Sequence, residues 1–120
     1  MTAKEALELL ATQGHLRWAN MRDTNLYFAD LSGADLRWAS LRCAYLRWAN
    51  LNRANLRWAD LRDANLRDAN LRDANLRYAS LNRANLSKAD LHGAYLRGAN
   101  LLDANLEAAN MIGILLDDAP

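Results

Sequence analysis

Three identical words, Leu-Arg-Asp-Ala-Asn, fill residues 61–75 and set Asp63, Asp68 and Asp73 five residues apart, each directly after an arginine (Arg62, Arg67, Arg72). Paired carboxylates do acid–base chemistry when they converge on one substrate inside a pocket. These three belong to successive words, so they stand on separate outer faces with no pocket between them. Their simpler role is to offset repulsion between neighbouring arginines, at well under about 1 kcal/mol per exposed pair. His15 and His92 lie far apart, and neither has a second histidine or a thiol at ligand spacing. Cys43, the only cysteine, can form no internal disulfide and has no histidine placed to activate it. The expectation is a protein that is not an enzyme and holds no cofactor or metal.

Recognition chemistry is better represented. Residues twenty apart read Trp18, Trp38, Trp58, Tyr78 and then Gly98, and beside them run Arg17, Arg37, Arg57, Arg77 and Arg97. Phe28 and Trp48 share a second such series with Asp68 and Lys88, next to Tyr27, Arg47 and Arg67. If residues twenty apart are stacked, the rings hold successive layers in register, at about 0.5–1.5 kcal/mol per pair, with arginines lying over adjacent indoles. The alternative is a recognition strip, since Trp, Tyr and Arg dominate binding hot spots. Arg17, Trp18, Arg37, Trp38, Arg57, Trp58, Arg77 and Tyr78 are then the candidate binding surface, and a protein partner fits best. Single-stranded nucleic acid, with bases on the rings and phosphates on arginine, is weakened by the acids interleaved nearby.

The positions are set by a repeat. From Gly14 to Gly113 a five-residue word recurs twenty times, centred on leucine or, at Met21 and Met111, methionine. Alanine stands two residues before each centre except in the first and third words, which have Gly14 and Thr24. Apolar positions five apart advance by about 500° on an α-helix and drift around it, so no helical stripe forms. Alanine, one spacer and leucine give a local period of two, inward, outward, inward, and the other two residues turn a corner. Four words make a square coil of twenty residues, and five coils stacked about 4.8 Å apart make a rod roughly 24 Å long. A single coil cannot bury enough to fold alone, so stability is shared between neighbours.

The words Ala54-Asn55-Leu56-Arg57-Trp58 and Ala64-Asn65-Leu66-Arg67-Asp68 fit Ala-(Asp/Asn)-Leu-x-x, and over about five sixths of its length the chain resembles the pentapeptide-repeat family. The resemblance implies an all-β solenoid, a right-handed quadrilateral parallel β-helix with leucine and alanine inside. Asn or Asp between them would lie outside, bonding backbone at the corners. His15, Tyr45 and Tyr95 depart from that corner position, as do Ser40 and Ser80.

Residues 1–13 read as a helical cap over the first coil, with Ala3, Ala6, Leu7 and Leu10 on its inner face and Gly14 just beyond its end. Residues 14–113 form the β-helix, and 114–120 an apolar then acidic tail. Leu102, Ile112, Ile114, Leu115 and Leu116 make that end apolar, so it either folds over the last coil or meets a second copy, and family members are often dimers there.

The whole chain carries a formal charge of +1. The repeat body holds thirteen arginines and Lys88 against ten acids, a mild positive surplus. No stretch has the roughly 20 apolar residues that span a bilayer, and residues 1–11 carry Lys4, Glu5 and Glu8 in place of a signal sequence's apolar core. A cytoplasmic protein without membrane insertion is expected. The leading reading is a scaffold or protein-interaction module. The second is regulation of a DNA enzyme, because some members of the family resemble duplex DNA and bind gyrase, but mimicry wants an anionic rod. The third is direct nucleic-acid binding through the Arg and Trp series.

Overall fold

Each central leucine opens a tight turn. The Leu36 carbonyl accepts from the Ala39 N–H at 3.0 Å, and Trp38 between them has φ of 59°. A one-to-four hydrogen bond with positive φ at the third residue is the type II pattern. The turn consumes four residues of the word and leaves the fifth to pair with neighbouring coils. In the word 56–60 all five backbone donors are satisfied. Leu56 N–H donates to the Asn75 carbonyl (2.7 Å), Trp58 to Arg77 (3.2 Å), Ala59 to Leu56 (3.0 Å) and Asp60 to Ala39 (2.9 Å). Arg57 N–H donates to Asn55 Oδ1 at 3.2 Å, the corner bond that an Asx side chain makes two residues ahead.

The computed structural model describes residues 1–117. Parallel bridges join positions twenty apart, from Asn20 with Ser40 to Tyr95 with Leu115, one bridge per word. The coil is therefore twenty residues long with four turns, and the turns stack into four columns. Numbered by their first members, the columns begin at Trp18, Asp23, Phe28 and Gly33. Among the described residues the paired positions are single bridges rather than extended strands. The alternating segment expected from the sequence is present, but a turn in every word leaves it too short for a strand.

Among the described residues twenty turn positions carry positive φ, and sixteen of them are not glycine, including Trp18, Phe28, Arg53 and Lys88. The left-handed region costs an L-residue on the order of 1–2 kcal/mol. It persists here because both the turn bond and the inter-coil bonds require it. The core is a leucine stack: Leu16 to Leu86 are fully buried at every centre except Met21, itself fully buried, and the preceding alanines lie against them.

Helix α1 spans Ala3–Gln13. It starts with a capping box, Glu5 N–H to Thr2 Oγ1 at 3.1 Å with Glu5 Oε1 accepting from the Thr2 N–H, and stops at Gly14, whose φ of 79° lets its N–H reach the Leu10 carbonyl. Ala6 is buried in the leucine core with Ala3, Leu9 and Leu10 against it. Leu7, expected inside, is 38% exposed. Leu7 and Leu9 flank the Ala6–Leu10 stripe on opposite sides, and the helix rolls toward Leu9. Thr24, the missing alanine of the third word, is buried and donates its hydroxyl to the Met1 carbonyl at 2.8 Å, tying the helix to the coil. The longest dimension, 34 Å, matches a rod of roughly 24 Å with a helix about 10 Å thick laid over its end.

Among the described residues nothing is laid over the opposite end. Leu101, Leu106 and Met111 are only partly buried and Leu116 is 68% exposed, although all four occupy central positions. Ile114 takes the alanine place and Leu115 pairs with Tyr95, so this segment continues the coil instead of folding back over it. The last residues of the expected tail, 118–120, lie outside the described region. Leu56→Ala, in the middle coil, is expected to cost about 2–5 kcal/mol, and Leu106→Ala distinctly less at low protein concentration, as measured by urea unfolding.

Candidate functional site

The first column presents its rings as two stacked pairs. Trp18 and Trp38 lie 4.9 Å apart with planes 4° from parallel, and Trp58 and Tyr78 lie 4.5 Å apart at 12°. Among the described residues no ring contact joins Trp38 to Trp58. The series ends where Tyr78 rests on Gly98, whose φ is 69° and where a Cβ would collide with the tyrosine ring. The positive-φ turn position throws each ring outward, so the coil spacing, about 4.8 Å, becomes the stacking distance.

The expected contact of arginine with an adjacent indole is present, loose at Arg37 and close at Arg47. The Arg37 guanidinium is 5.8 Å from the Trp38 centroid, a loose contact, because it is held by Asp35: Nε to Oδ1 at 2.9 Å and Nη2 to Oδ2 at 2.7 Å. Arg17 reaches the same Asp35 at 3.5 Å. The closest ring contacts lie elsewhere, Arg47 over Trp48 at 4.0 Å and Arg77 over Tyr95 at 4.4 Å.

The third column holds a larger aromatic group than the sequence suggested. Phe28 stacks on Trp48 at 4.9 Å, and Tyr27 lies 6.3 Å from Tyr45 and 6.5 Å from Trp48. Tyr45 occupies a corner position, where its ring has no acceptor to close the turn and packs on Tyr27 instead. His15 does close its turn, with Nδ1 accepting from the Arg17 N–H at 3.2 Å. The signal for the patch was a ring at position 45, which the five-residue pattern files under corners.

Much of the strongest ion pairing comes from corner aspartates, for which the sequence implied backbone bonds alone. Asp60 takes Arg62 in a two-pronged pair at 2.8 and 2.7 Å, as Asp35 takes Arg37. The signal was the tripeptide Asp-Leu-Arg, which places acid and base on either side of an inward leucine. Of the three regular aspartates, Asp63 pairs with Arg83 at 2.9 Å and Asp68 is shared by Arg67 and Arg47 at 3.5 and 4.0 Å, while Asp73 packs against Gly93. They stand on three different columns. No group of three or more His, Cys, Asp or Glu among the described residues could hold a metal ion, and no helix is long and apolar enough to cross a membrane.

The suggested end-contact residues are spread around the last coil. Leu102 and Ile112 point outward from separate columns, while Ile114 and Leu115 are half-buried. The apolar surface that the end does present is Leu101, Leu106, Met111 and Leu116, one from each side of the square.

A solenoid of five-residue words with buried leucine centres and Asx-closed turns defines the class, and comparison with known proteins gives the family. The family model described as pentapeptide repeats matches in eight copies over residues 11–37, 29–68, 39–77 and 64–101. The chain belongs to the pentapeptide-repeat family. Among solved structures, a pentapeptide repeat protein of the Arabidopsis thaliana thylakoid lumen is 34% identical, with a TM-score of 0.78 over 83% of this chain and 70% of that one. Rfr23 from the cyanobacterium Cyanothece 51142 is 26% identical, with a TM-score of 0.44 over 95% of this chain and 99% of that one. QnrB1, a plasmid-mediated fluoroquinolone resistance protein, is 20% identical, with a TM-score of 0.46 over 82% of this chain and 71% of that one. Among curated proteins none matches this chain.

Hydrogen bonds from Arg37, Arg62 and Arg83 hold the Asp35, Asp60 and Asp63 carboxyls below their ordinary range. Burial works the other way at Asp90, yet bonds from the His92 N–H and Arg72 leave it lowered too. A carboxyl whose pKa is lower in the folded state contributes stability above its unfolded pKa, near about 4, and loses it as pH falls through the folded value. Melting temperature is therefore expected to be level above about pH 5 and to fall below about pH 4. Asp60→Asn, which keeps the corner oxygen and loses the ion pair, should cost under about 1 kcal/mol at neutral pH and flatten the acid limb.

Proposed function

We propose that the chain is a right-handed quadrilateral β-helix working as a non-enzymatic protein-interaction module, with the column from Arg17 to Tyr78 as its contact surface. Family membership supports the handedness and the non-catalytic role. The observation that carries the surface is that Trp18, Trp38 and Trp58 remain 70%, 38% and 49% exposed although two of them stack on each other and the third on Tyr78. Rings anchored in a fixed ladder present apolar area with little entropy left to lose on binding, the character of a hot spot. A protein partner fits better than nucleic acid, because Asp35 already occupies Arg17 and Arg37 and interrupts the cationic track. The positive surplus of the body argues against a gyrase-directed imitation of DNA. The open end adds a homodimer to this reading, with Leu101, Leu106, Met111 and Leu116 of two copies face to face. The cost of Leu106→Ala should then grow with protein concentration.

The test is a double substitution, Trp38→Ser with Trp58→Ser, compared with the intact protein in a pull-down from the native host. It breaks both stacked pairs, so stability should fall by about 1–3 kcal/mol while the chain stays folded and the captured protein is lost. Capture retained by the folded double variant would make the strip a register device only, and salt-sensitive binding to a labelled oligonucleotide would favour the nucleic-acid reading.

A further inference from the structure

The third column changes character halfway down the rod. Its upper two coils carry the aromatic group of Tyr27, Phe28, Tyr45 and Trp48. Below Arg67 and Asp68 the next turn is Ser87-Lys88, and Ser87 is only 5% exposed at a position where its column neighbours Tyr27, Arg47, Arg67 and Glu107 project outward. The short side chain leaves a notch of 270 Å³ bounded by Arg67, Asn85, Lys88, Asn105 and Glu107.

Several residues lining this notch carry hydrogen-bond donors. Asn85 Oδ1 already accepts from the Ser87 N–H (3.0 Å) and hydroxyl (2.7 Å), and Asn105 Oδ1 from the Glu107 N–H (3.0 Å). With both amide oxygens engaged in turns, the Nδ2 groups remain as donors. Arg67 and Lys88 add charged ones, and Arg67 shares its acid, Asp68, with Arg47.

The fourth column shows what such a donor set does. There Asp90 accepts from Arg72 Nη1 of the coil above at 3.1 Å and from Asn110 Nδ2 of the coil below at 3.1 Å, while holding its own turn through the His92 N–H at 3.1 Å. Five residues earlier the equivalent trio is Arg67, Asn85 and Asn105. Arginine and asparagine are in the same places, but an amide stands where the carboxylate was. Where the fourth column has Gly93, the third has Lys88, one more cation.

We propose that this notch binds a carboxylate supplied by an acidic side chain of a partner protein. Glu107 on the lower rim repels a run of phosphates yet tolerates a single carboxylate and accepts from a backbone N–H, which favours a polypeptide over a nucleic acid. The Trp48 ring, two coils above Lys88 and so about 10 Å away, with Phe28 stacked on it one coil further up, offers an apolar shelf. In a polyproline II segment, residues three apart lie on one side about 9 Å from each other, so the fitting ligand has an aromatic residue three positions from the acid.

The test is a ¹⁵N NMR titration of the full chain with the capped peptide Gly-Phe-Pro-Pro-Glu-Gly, its Glu-to-Gln counterpart, and acetate. The Glu peptide is expected to move the Ser87 backbone and the Asn85 and Asn105 side-chain amide signals, and both the Gln peptide and acetate to bind at least tenfold more weakly. Asn85→Asp rebuilds the Asp90 arrangement, with the turn closed by the same kind of oxygen, and should weaken the Glu peptide at least tenfold. Asn50→Asp, an equal charge change in another column, should leave binding intact. No shifts at the notch, equal binding of the Gln peptide, or Glu-peptide binding untouched by Asn85→Asp would overturn the proposal. Acetate as effective as the peptide would overturn the protein segment as its source.

Discussion

Everything in this molecule rests on backbone hydrogen bonds between residues that are nineteen to twenty-one positions apart. Leu46 N–H to the Asn65 carbonyl at 2.7 Å and Asn65 N–H to the Ala44 carbonyl at 2.9 Å are one instance of a pattern repeated along the rod. A short word with a single inward leucine cannot hold itself together, so its backbone must be satisfied by its neighbours. The consequence is rigid vertical alignment. Any side chain placed at a turn stands directly above or below the turn side chains of the neighbouring coils at strand spacing, whatever its chemistry. The ladders of rings and the corner ion pairs are products of that alignment rather than causes of it.

The alignment also explains a cost the protein carries. Among the described residues sixteen non-glycine positions sit in the left-handed region, where each is strained by comparison with glycine. A word of five residues can turn a corner and still present leucine and alanine inward only with this geometry, and the hydrogen bonds on both sides of the turn hold it. Positions where the column narrows, such as Gly98 under Tyr78 and Ser87 beside Lys88, are where the surface stops being a uniform ladder and acquires shape. Function on such a rod belongs to these interruptions as much as to the regular columns.

The period of twenty was legible because the words ending in Trp18, Trp38, Trp58 and Tyr78 recur at that interval, and the helix because Ala3, Ala6, Leu7 and Leu10 share a face and Gly14 stands just beyond its end. Positive φ was not legible, since tryptophan, phenylalanine and lysine give no sign of it and the tertiary hydrogen bonds impose it. The choice of Leu9 over Leu7 was hidden because both flank the same stripe and only the shape of the first coil decides. Thr24 looked like a defect in the repeat until Met1 was seen above it. The notch was invisible because it is made by a small residue, and its meaning came only from setting Asn85 beside Asp90.

The vertical register can be tested with the one native thiol. Cys43 shares its column with Asp63, one coil below and about 4.8 Å away, within the span of a disulfide. Under mild oxidation Asp63→Cys should link internally to Cys43, whereas Asp68→Cys, one column over, should not. Equal linkage in both variants, or linkage only through position 68, would contradict a twenty-residue coil and the surfaces derived from it.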